Sequence, residues 1–517
     1  MKKFFSNSAY LFWLIFIIAV IFRLCQLGTL PSGINQDEAY AGYEALSLLT
    51  TGTDSWGYGF PLYFISWASG MNVLYSYLSI PFIALFGPHT WVIRLPQALL
   101  GILSCYIFYR LLKKIFNRQT ALLGFFFSAI VPWHIMLSRW GLESNLAPFF
   151  ILCGFYFFAK SLKKNSYLFL SALLYGLGLY TYATAWIYII ITFALQLLYF
   201  IIYQRNTQSL LYTLSAGILF TILAFPLLLL ILINNNIIPE IKTAIFSIPK
   251  LVYYRQNEIG FDHLDIKLPA LIRILFQGKD FLITNQIQPY GLFYPISLPF
   301  ILLGLYKLFQ FSRNDIKSNR FSFSAVILCS IIIGLIYGAT LYPCINRLNF
   351  LWFNLLIALS VGVAFFLSYP KILKLIIAVY ICFTVSFMHT YATKYNTLAA
   401  DSFTPDLEKA LTIAEQQHHQ TGLTIYITDA AFIYPKVLFY TQPPTADFIK
   451  TVNWQNFPDA YLDASGFTHY RFIPNFDYHQ LSTDGIYIAP FSERYWFYKF
   501  NIVSSGAYII ATPRATP

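Results

Sequence analysis

Long apolar runs, separated by short polar segments, fill most of the first 390 residues of the chain. A helix that crosses a bilayer needs about 20 mostly apolar residues. Counted on that basis, the pattern predicts about eleven membrane-spanning helices. They lie near 9–27, 90–110, 119–137, 145–162, 167–184, 186–203, 210–233, 291–311, 322–341, 348–368 and 371–389. The apolar stretch 60–86 is interrupted by Gly70, Asn72 and Pro81, so we interpret it as an interfacial or re-entrant helix.

The last part of the chain, residues 391–517, loses this apolar pattern and is typical of a soluble α/β domain. Residues 407–416 have the periodicity of a helix, and residues 422–428 follow a turn as a strand does. Residues 484–489 and 507–512 predict two further strands. The predicted fold class is therefore an all-α polytopic membrane protein with about eleven transmembrane helices and a C-terminal α/β domain.

Composition favours a membrane protein over a large soluble one. Of the 517 residues, 57% are hydrophobic and only 11% are charged, whereas soluble domains carry about 25% charged residues. The net charge of +12 does not indicate nucleic-acid binding, because most basic residues of the apolar part lie in short clusters between predicted spans, as orientation signals do. The six cysteines show no metal-binding spacing and no disulfide framework.

The basic clusters predict the orientation of the chain, because cytoplasmic loops are enriched in Lys and Arg. With a cytoplasmic N-terminus, the inner loops contain Lys2, Lys3, Lys113, Lys114, Arg118, Lys160, Lys163, Lys164, Arg205, Arg313, Lys317, Arg320 and Lys371. The first outer loop, 28–89, contains no Lys or Arg. The second large outer loop, 234–290, mixes apolar and charged residues, including Arg255 and Glu258, as helices on a membrane surface do. An odd number of spans places the C-terminal domain outside as well.

A cluster of acidic residues lies in the first outer loop, in the segment 34–46. If this segment is helical, Asp37, Tyr40 and Glu44 share one face, and Glu38 is adjacent to Asp37. A carboxylate at the mouth of a helix bundle can accept a proton from a hydroxyl nucleophile. The alternative is structural, because acids in the first turn of a helix stabilise that helix without any other function.

A second outer segment, 138–145, follows the third predicted span and contains Arg139 and Glu143. Glu143 is a second carboxylate that could converge with Asp37, and Arg139 or His134 could bind an anion. Alternatively, Arg139 and Glu143 pair across one helical turn, and His134 is an ordinary interfacial histidine.

Arginines and aromatic residues also gather at the predicted outer ends of the spans. The four arginines are Arg23, Arg94, Arg139 and Arg347. They either extend to lipid phosphates or form a phosphate-binding site near the carboxylates. The aromatic residues form either the usual interfacial belt or a surface for a sugar ring. They are Trp56, Tyr58, Tyr63, Trp67, Tyr180, Tyr182 and Trp186.

Together these segments resemble the GT-C fold glycosyltransferases that use polyprenyl-phosphate sugars. The chain is most similar to family 39, the protein O-mannosyltransferases, and to the aminoarabinose transferases of lipid A. The resemblance rests on Asp37-Glu38, on the run Trp91-Val-Ile-Arg-Leu-Pro-Gln-Ala-Leu, on Ser138-Arg139 with Glu143, and on Arg347. It covers about residues 1–390, which are expected to be the glycosyltransferase domain, whereas 391–517 carry no recognisable motif.

The resemblance implies an enzyme that moves a hexose-type sugar from a polyprenyl phosphate to an acceptor hydroxyl, with inversion at the anomeric carbon. It implies that Asp37 is the base and that Arg347 stabilises the leaving lipid phosphate. The expected site residues are, as catalytic groups, Asp37, Glu38 and Glu143; as ligands of the donor phosphate, Arg347, Arg139 and Arg94; and as further substrate contacts, Tyr40, Glu44 and His134.

The resemblance also bears on partners, cofactors and location. The acceptor is expected to be a glycan, a lipid or a protein in the cell envelope, and the plasma membrane of a bacterium is the favoured location. Some relatives use a divalent metal such as Mg²⁺ or Mn²⁺, which the outer carboxylates could bind. The chain departs from some relatives at residues 50–70, where it has small and aromatic residues in place of a basic one.

Two other functions fit part of the pattern. A secondary transporter or lipid-linked glycan flippase would show repeats and charged or broken helices at the membrane midplane. The predicted spans are nearly free of midplane charge, and the acids gather on one side, which favours an enzyme at the membrane surface. A binding or assembly protein that works through its C-terminal domain would leave the outer acids unexplained.

Overall fold

The computed structural model describes residues 8–254, 259–428, 431–458 and 460–514. Lys2, Lys3, Arg255 and Glu258 therefore lie outside the described residues. The chain divides into two compact units, each built from separate stretches. The helical unit comprises Met1–Leu27, Arg94–Leu228 and Gln256–Tyr395, and the sheet unit comprises Gly28–Ile93, Leu229–Arg255 and Asn396–Pro517. The predicted domain boundary at residue 390 stays a prediction.

Helices account for most of the chain. The α-helices, numbered in chain order, are α1 Ser8–Leu24, α2 Gln36–Thr51, α3 Leu74–Phe86, α4 Thr90–Ile115, α5 Arg118–Ile130, α6 Pro132–Leu137, α7 Ala147–Ser161, α8 Tyr167–Gly178, α9 Ala185–Gln204, α10 Thr207–Asn234, α11 Leu264–Gln277, α12 Ser297–Lys317, α13 Phe323–Thr340, α14 Trp352–Ala364, α15 Pro370–Leu398, α16 Ala400–Phe403, α17 Leu407–Thr421, α18 Tyr434–Thr441 and α19 Thr445–Thr451. Short 3₁₀ helices lie at Glu143–Leu146, Phe365–Ser368, Tyr478–Gln480 and Phe491–Phe497.

Among the described residues, five helices are long and apolar enough to cross a membrane: α4, α9, α10, α13 and α15. Shorter apolar helices lie at Ala9–Leu24, Leu74–Phe86, Tyr167–Gly178 and Trp352–Ser368. By length and composition, the chain is a multi-pass membrane protein, but the count of about eleven spans is not confirmed. The predicted span 119–137 shows one reason. Val131 is extended (φ −67°, ψ 139°) before Pro132, because a following proline disfavours the helical conformation, so the run forms two helices.

The C-terminal part of the sheet unit contains a mixed seven-stranded sheet. Its strands are β3 Thr424–Thr428, β4 Asn453–Trp454, β5 Ala464–Phe467, β6 Tyr470–Ile473, β7 Gly485–Pro490, β8 Phe500–Ser505 and β9 Tyr508–Pro513. They follow the order β4-β5-β6-β3-β7-β9-β8, with β3 parallel to both β6 and β7. The predicted helix at 407–416 and the predicted strands at 422–428, 484–489 and 507–512 are confirmed as α17, β3, β7 and β9.

The core of the sheet unit joins the sheet to helices from distant parts of the sequence. Ile425 of β3 and Ile486 of β7 are fully buried against Leu407 of α17. The same cluster includes Tyr43 of α2 and Val437 of α18. This packing brings the acidic helix α2 into the unit that contains the C-terminal sheet.

The two predicted outer loops differ from simple surface helices. The predicted helix at 60–86 is wrong before Leu74, where α3 begins. Trp67, Ala68 and Gly70 have positive φ angles of 51°, 65° and 108°, and the right-handed α-helix requires negative φ. The loop 234–290 contains a short hairpin of β1 Ile241–Lys242 and β2 Ser247–Ile248, followed by the helix α11.

Candidate active site

The N-terminus of α2 is fixed by a reciprocal cap between a helix-preceding asparagine and an acid. The Asn35 side-chain oxygen accepts a hydrogen bond from the Asp37 backbone N–H at 3.0 Å. The Asn35 backbone N–H donates to the Glu38 carboxylate at 3.2 Å. This capping box satisfies backbone donors that a helix start leaves unpaired. Glu38 is fully buried in this role. It thus stabilises the start of the helix, which the sequence analysis gave as the structural alternative for the acids of this segment.

Asp37, the other acid of the pair, is half-buried and contacts an indole. The Trp67 Nε1–H donates to the Asp37 Oδ1 at 3.1 Å. The loop that carries Trp67 is closed by paired backbone hydrogen bonds between Phe64 and Met71 at 2.9 and 3.1 Å. Left-handed backbone at non-glycine residues such as Trp67 and Ala68 costs of the order of 1–3 kcal/mol each. The indole is therefore held against Asp37 by a strained backbone, which lowers the stability of the fold.

Lys436 of α18 adds a positive charge to this region, and the sequence reasoning missed it. Its side chain is only 3% exposed, and its Nζ donates to the Ser402 carbonyl at 3.2 Å. Burial lowers the pKa of Lys436 to about 8, against the opposing effect of the charges on Asp37 and Glu38. A lysine inside the apolar stretch 433–439 is the sequence signal that could have found it.

Aromatic rings form a continuous wall beside Asp37. The Trp67 ring lies 5.3 Å from the Phe432 ring and 5.7 Å from the Tyr434 ring. The Tyr434 ring lies 5.6 Å from Trp454, which stacks on Trp56 at 5.1 Å with an interplanar angle of 5°. Trp56 and Trp67 were predicted as candidates for sugar stacking, whereas the other three rings come from the part of the chain without a motif.

Tyr40 and Glu44 lie on the buried side of α2, with 2% and 0% exposure. Glu44 accepts hydrogen bonds from the Ser55 backbone N–H at 2.9 Å and from the Ser55 hydroxyl. The Tyr40 hydroxyl lies 3.2 Å from the Ser55 hydroxyl and donates to the Ile65 carbonyl at 2.5 Å. These bonds tie α2 to the loop that follows it.

Glu44 also has a second buried acid as a neighbour. Burial, with a smaller contribution from the charge of Asp54, raises the pKa of Glu44 above its usual range. Burial likewise raises the pKa of Asp54. Burial therefore favours the protonated form of both carboxyls, in which each carries a hydrogen-bond donor as well as acceptors.

In the helical unit, an amide network joins two of the predicted site segments. The Asn349 side-chain N–H₂ donates to the Ser144 carbonyl at 3.0 Å, and the Trp133 indole donates to the Asn349 Oδ1 at 3.1 Å. The Gln97 side chain donates to the Asn145 carbonyl at 2.9 Å. The network thus connects the segment 138–145 to the residues after Arg347 and to the run that begins at Trp91.

Glu143 and Arg347 are close in sequence to residues of this network. Glu143 is half-buried and begins the 3₁₀ helix Glu143–Leu146. Arg347 is half-buried, and its guanidinium donates to the Tyr342 carbonyl at 3.3 Å. A small cavity of about 10 Å³, at the lower limit for one water molecule, is lined by Trp133, Asn145, Asn346 and Asn349.

The other predicted cations of the helical unit point inward. Arg94 is fully buried and donates to the Leu27 carbonyl at 3.1 Å. Arg139, 2% exposed, donates to the Phe22 and Cys25 carbonyls at 2.8 Å each. His134 is also fully buried, and its Nδ1 lies 2.6 Å from the Arg23 guanidinium. These bonds give the three residues structural partners in the interior.

Comparison with known proteins gives a partial match in sequence. Residues 72–230, less than half of the chain, match the family described as dolichyl-phosphate-mannose-protein mannosyltransferase. Two Bacillus subtilis (strain 168) proteins are similar over short segments. "Putative mannosyltransferase YkcB" is 31% identical over 94 residues, 18% of this chain and 13% of that protein. "Putative mannosyltransferase YycA" is 30% identical over 84 residues, 16% of this chain and 12% of that protein.

The match in structure extends over the whole chain. ArnT from Cupriavidus metallidurans in the apo state superposes with a TM-score of 0.58, covering 98% of both chains at 12% sequence identity. The same protein bound to undecaprenyl phosphate gives a TM-score of 0.57, covering 99% of both chains at 11% identity. The chain has a GT-C glycosyltransferase fold. The archaeal oligosaccharyltransferase AglB from Archaeoglobus fulgidus is more distant, with a TM-score of 0.51 and 12% identity. That match covers 100% of this chain and 75% of AglB.

Within this GT-C fold, the predicted site residues are divided between the two units. The sheet unit contains Asp37, Glu38, Tyr40 and Glu44, and the helical unit contains Arg94, His134, Arg139, Glu143 and Arg347. In the parts of the chain that the structure describes, no group of three or more His, Cys, Asp or Glu side chains is placed to hold a metal ion. The divalent metal therefore stays a prediction, and no step below is assigned to it.

Proposed function

We propose that the protein is a membrane glycosyltransferase that moves a hexose-type sugar from a polyprenyl-phosphate donor to an acceptor hydroxyl. Asp37 is the general base, and the products are a glycosylated acceptor and the free polyprenyl phosphate. The GT-C fold and the family match over residues 72–230 support this class of reaction. The acceptor is a glycan, a lipid or a protein of the cell envelope.

The observation that carries the proposal is the setting of Asp37. Its half-buried carboxylate lies in the first turn of α2, one of its oxygens accepts the Trp67 N–H, and the Lys436 ammonium lies within electrostatic reach. The partly exposed rings of the adjoining aromatic wall, Trp67 and Phe432 among them, offer apolar faces suited to the C–H groups of a sugar ring. A positioned base supports proton transfer from an acceptor hydroxyl bound there.

The chemistry is a single displacement at the anomeric carbon. The Asp37 carboxylate takes the proton of the acceptor hydroxyl as the acceptor oxygen attacks that carbon. The bond between the anomeric carbon and the phosphate oxygen breaks, and its electron pair leaves with the polyprenyl phosphate. Attack from the face opposite the leaving group inverts the anomeric configuration. We assign the stabilisation of the developing phosphate charge to Arg347.

Features of the helical unit support a lipid-linked donor. A groove of about 460 Å³ is lined mostly by apolar residues, including Leu298 and Leu302 of α12 and Leu335 of α13, together with the amides of Gln277 and Gln288. Such a groove suits an isoprenoid chain. Among proteins of the same fold, ArnT has been seen with undecaprenyl phosphate and AglB with dolichol-phosphate and an inhibitory peptide.

The proposed enzyme has about eleven spans, a cytoplasmic N-terminus and an extracytoplasmic C-terminal domain in a bacterial plasma membrane. The distribution of basic residues supports this orientation. It places Asp37 and the other acids of the loop 28–89 on the outer side. Transfer would then take place at the outer face of the membrane.

The test is reconstitution of the purified full-length chain with a panel of polyprenyl-phosphate sugars, with release of free polyprenyl phosphate as the readout. Asp37→Asn is expected to lower the turnover rate by about 10²–10⁴-fold, the usual contribution of a general base. The variant keeps the size and the hydrogen-bonding shape of the side chain, so the protein is expected to fold normally.

The matched control is Asp401→Asn, at an exposed acid of the same unit, which should leave the turnover rate unchanged. Wild-type turnover in Asp37→Asn would remove Asp37 as the base. If none of the donors in the panel released polyprenyl phosphate with the wild-type chain, the proposed reaction itself would be wrong.

A further inference from the structure

A large basic cavity lies at one end of the helical unit, and its lining includes none of the residues assigned above to sugar transfer. It has a volume of about 690 Å³. It lies where α1, α5 and α8 begin and where α4 and α7 end. Among the described residues, its lining includes no acid and six cationic side chains: Arg110, Lys113, Lys114, Arg118, Lys160 and Lys163.

The positive charge exceeds what the helices require. Cations in a last helical turn complement the partial negative charge of a helix C-terminus, about −0.5 for each helix. Lys113 and Lys114 of α4 and Lys160 of α7 are placed in this way. Two C-termini supply a total of only about −1, against the six cations of the lining. The remaining charge repels itself, and an anion in the cavity would offset it.

Aromatic rings support these cations from within the cavity. The Lys160 ammonium lies 3.9 Å from the centre of the Tyr167 ring and 5.6 Å from that of Tyr156. The Arg110 guanidinium donates to the hydroxyl of Tyr106. Cation–π contacts hold a charged group without neutralising it. The side chains are therefore positioned while their charge remains available to a ligand.

An apolar stripe on α1 continues from the cavity. Trp13 lines the cavity and is 58% exposed, and Leu14, Ile17 and Ile21 are 41%, 52% and 51% exposed. Their spacing of three to four residues places Leu14, Ile17 and Ile21 on one face of the helix. The stripe starts at the end of α1 that lines the basic cavity. It continues along an apolar helix that suits the membrane interior.

We propose that this cavity is a binding site for an anionic membrane phospholipid, with the phosphate headgroup among the six cations and an acyl chain along the α1 stripe. Basic pockets between membrane helices bind anionic headgroups in this way. A free phosphate ion would use the cations but would leave the volume and the apolar stripe unused. The inference does not depend on the sugar-transfer activity.

Trp13 provides a direct probe of the site. The full-length chain is reconstituted in phosphatidylcholine nanodiscs that contain a small fraction of phosphatidylglycerol with brominated acyl chains, which quench nearby tryptophans. The difference between the wild type and Trp13→Phe isolates the signal of Trp13 from that of the other tryptophans. We expect quenching of Trp13 to saturate at a lower mole fraction of brominated phosphatidylglycerol than of brominated phosphatidylcholine.

Charge removal tests the role of the cations. Because each Lys near an anionic headgroup contributes about 1 kcal/mol, about fivefold in affinity, the triple variant Lys113→Gln, Lys160→Gln and Lys163→Gln should weaken phosphatidylglycerol binding about 100-fold. The matched control is the triple variant Arg313→Gln, Lys317→Gln and Lys371→Gln. It removes the same charge at exposed positions outside the lining and should leave binding unchanged.

Three outcomes would overturn the proposal. They are equal quenching by the two brominated lipids, equal loss of binding in the two triple variants, and displacement of the lipid by excess inorganic phosphate at constant ionic strength, which would show that the site takes a phosphate group alone. If the triple variant does not fold, Lys163→Gln compared with its neighbour Lys164→Gln answers the same question, with an expected loss of about fivefold only in the former.

Discussion

At the scale of single residues, the site of the sheet unit contains two charged side chains, Asp37 and Lys436, that differ in their exposure to solvent. Asp37 is half-buried and accepts an indole N–H, so its position is fixed while part of it remains accessible. Lys436 is almost fully buried, and its ammonium is desolvated, which is the main reason why its pKa falls to about 8. Its charge is therefore present below about pH 8 and is lost as the pH rises through that value.

We expect Lys436→Met to lower kcat/KM for sugar transfer about tenfold, the equivalent of roughly 1.4 kcal/mol of transition-state stabilisation. Methionine preserves the apolar stem of the lysine and removes the ammonium, with its charge near Asp37 and its hydrogen bond to the Ser402 carbonyl. In the wild type, the rate should fall as the pH rises through about 8, because Lys436 loses its proton there. The variant should lack this decline. The measurement is kcat/KM as a function of pH for both proteins.

Lys409→Met is the control for this experiment, because Lys409 is exposed on α17 and its loss should change neither the rate nor the pH profile. A Lys436→Met variant with reduced activity but an unchanged pH profile would show that Lys436 contributes only packing. Loss of the alkaline decline without loss of activity at neutral pH would show that the lysine charge is not needed for transfer.

The family resemblance assigned the role of base to Asp37, whereas the residue pattern alone did not separate Asp37 from Glu38. Two adjacent acids look equivalent in a sequence, and only the cap formed with Asn35 distinguishes them. The pattern Asn-x-x-Glu at 35–38 was a signal for that cap. Lys436 could not be placed near Asp37, because the two residues are 399 positions apart in a chain of 517 residues and nothing in the sequence around either of them indicates the contact.

At the scale of elements, the loop between α2 and α3 shows where prediction from the sequence fails. Apolar residues at 60–73 suggested a helix. The segment instead forms a loop that is closed by two backbone hydrogen bonds between Phe64 and Met71. The left-handed residues Trp67 and Ala68 have no signature in the sequence, because neither is a residue that favours that conformation. By contrast, α2 and α17 end at Gly52 and Gly422, both left-handed, which is the stop signal that sequence analysis relies on.

The turn before α2 gives a test of how the sheet unit holds its acidic helix. Gly33 has φ of +82°, and a Cβ at this position would lie 2.1 Å from the Phe403 carbonyl oxygen. Left-handed backbone costs an L-residue about 1–2 kcal/mol, and the clash adds to that cost. We expect Gly33→Ala to destabilise the sheet unit by more than about 2 kcal/mol, measured as a lower thermal unfolding midpoint in detergent.

Gly59→Ala is the matched control, because a Cβ at Gly59 meets no atom within 4 Å. Its effect should stay within about 0.5 kcal/mol, as for most surface substitutions. Equal midpoints for the two variants would mean that the segment before α2 moves away from Phe403 without cost, and that the start of α2 is not held by this contact.

At the scale of the whole molecule, the apolar pattern predicted a polytopic membrane part and a C-terminal α/β domain, and both are present. The pattern could not give the grouping of the segments, because three separated stretches form the sheet unit and sequence distance carries no information about such association. The apolar pattern also did not determine the number of membrane-spanning helices. Hydropathy does not report that a run breaks at a proline, as at Pro132, or that an apolar helix is too short to cross.

Orientation in the membrane is a prediction about the whole chain, and it decides on which side transfer can occur. Basic residues are retained on the cytoplasmic side during insertion, so the side that contains Lys317 should be inside and the C-terminal domain outside. In a background without the native cysteines, Thr483→Cys and Ser318→Cys each introduce one thiol at an exposed position. A membrane-impermeant maleimide should label Thr483→Cys in intact cells and Ser318→Cys only after permeabilisation. The cysteine-free chain should take no label. The reverse pattern would place Asp37 in the cytoplasm and would contradict transfer at the outer face, whereas labelling of both thiols in intact cells would rule out an odd number of spans between Ser318 and Thr483.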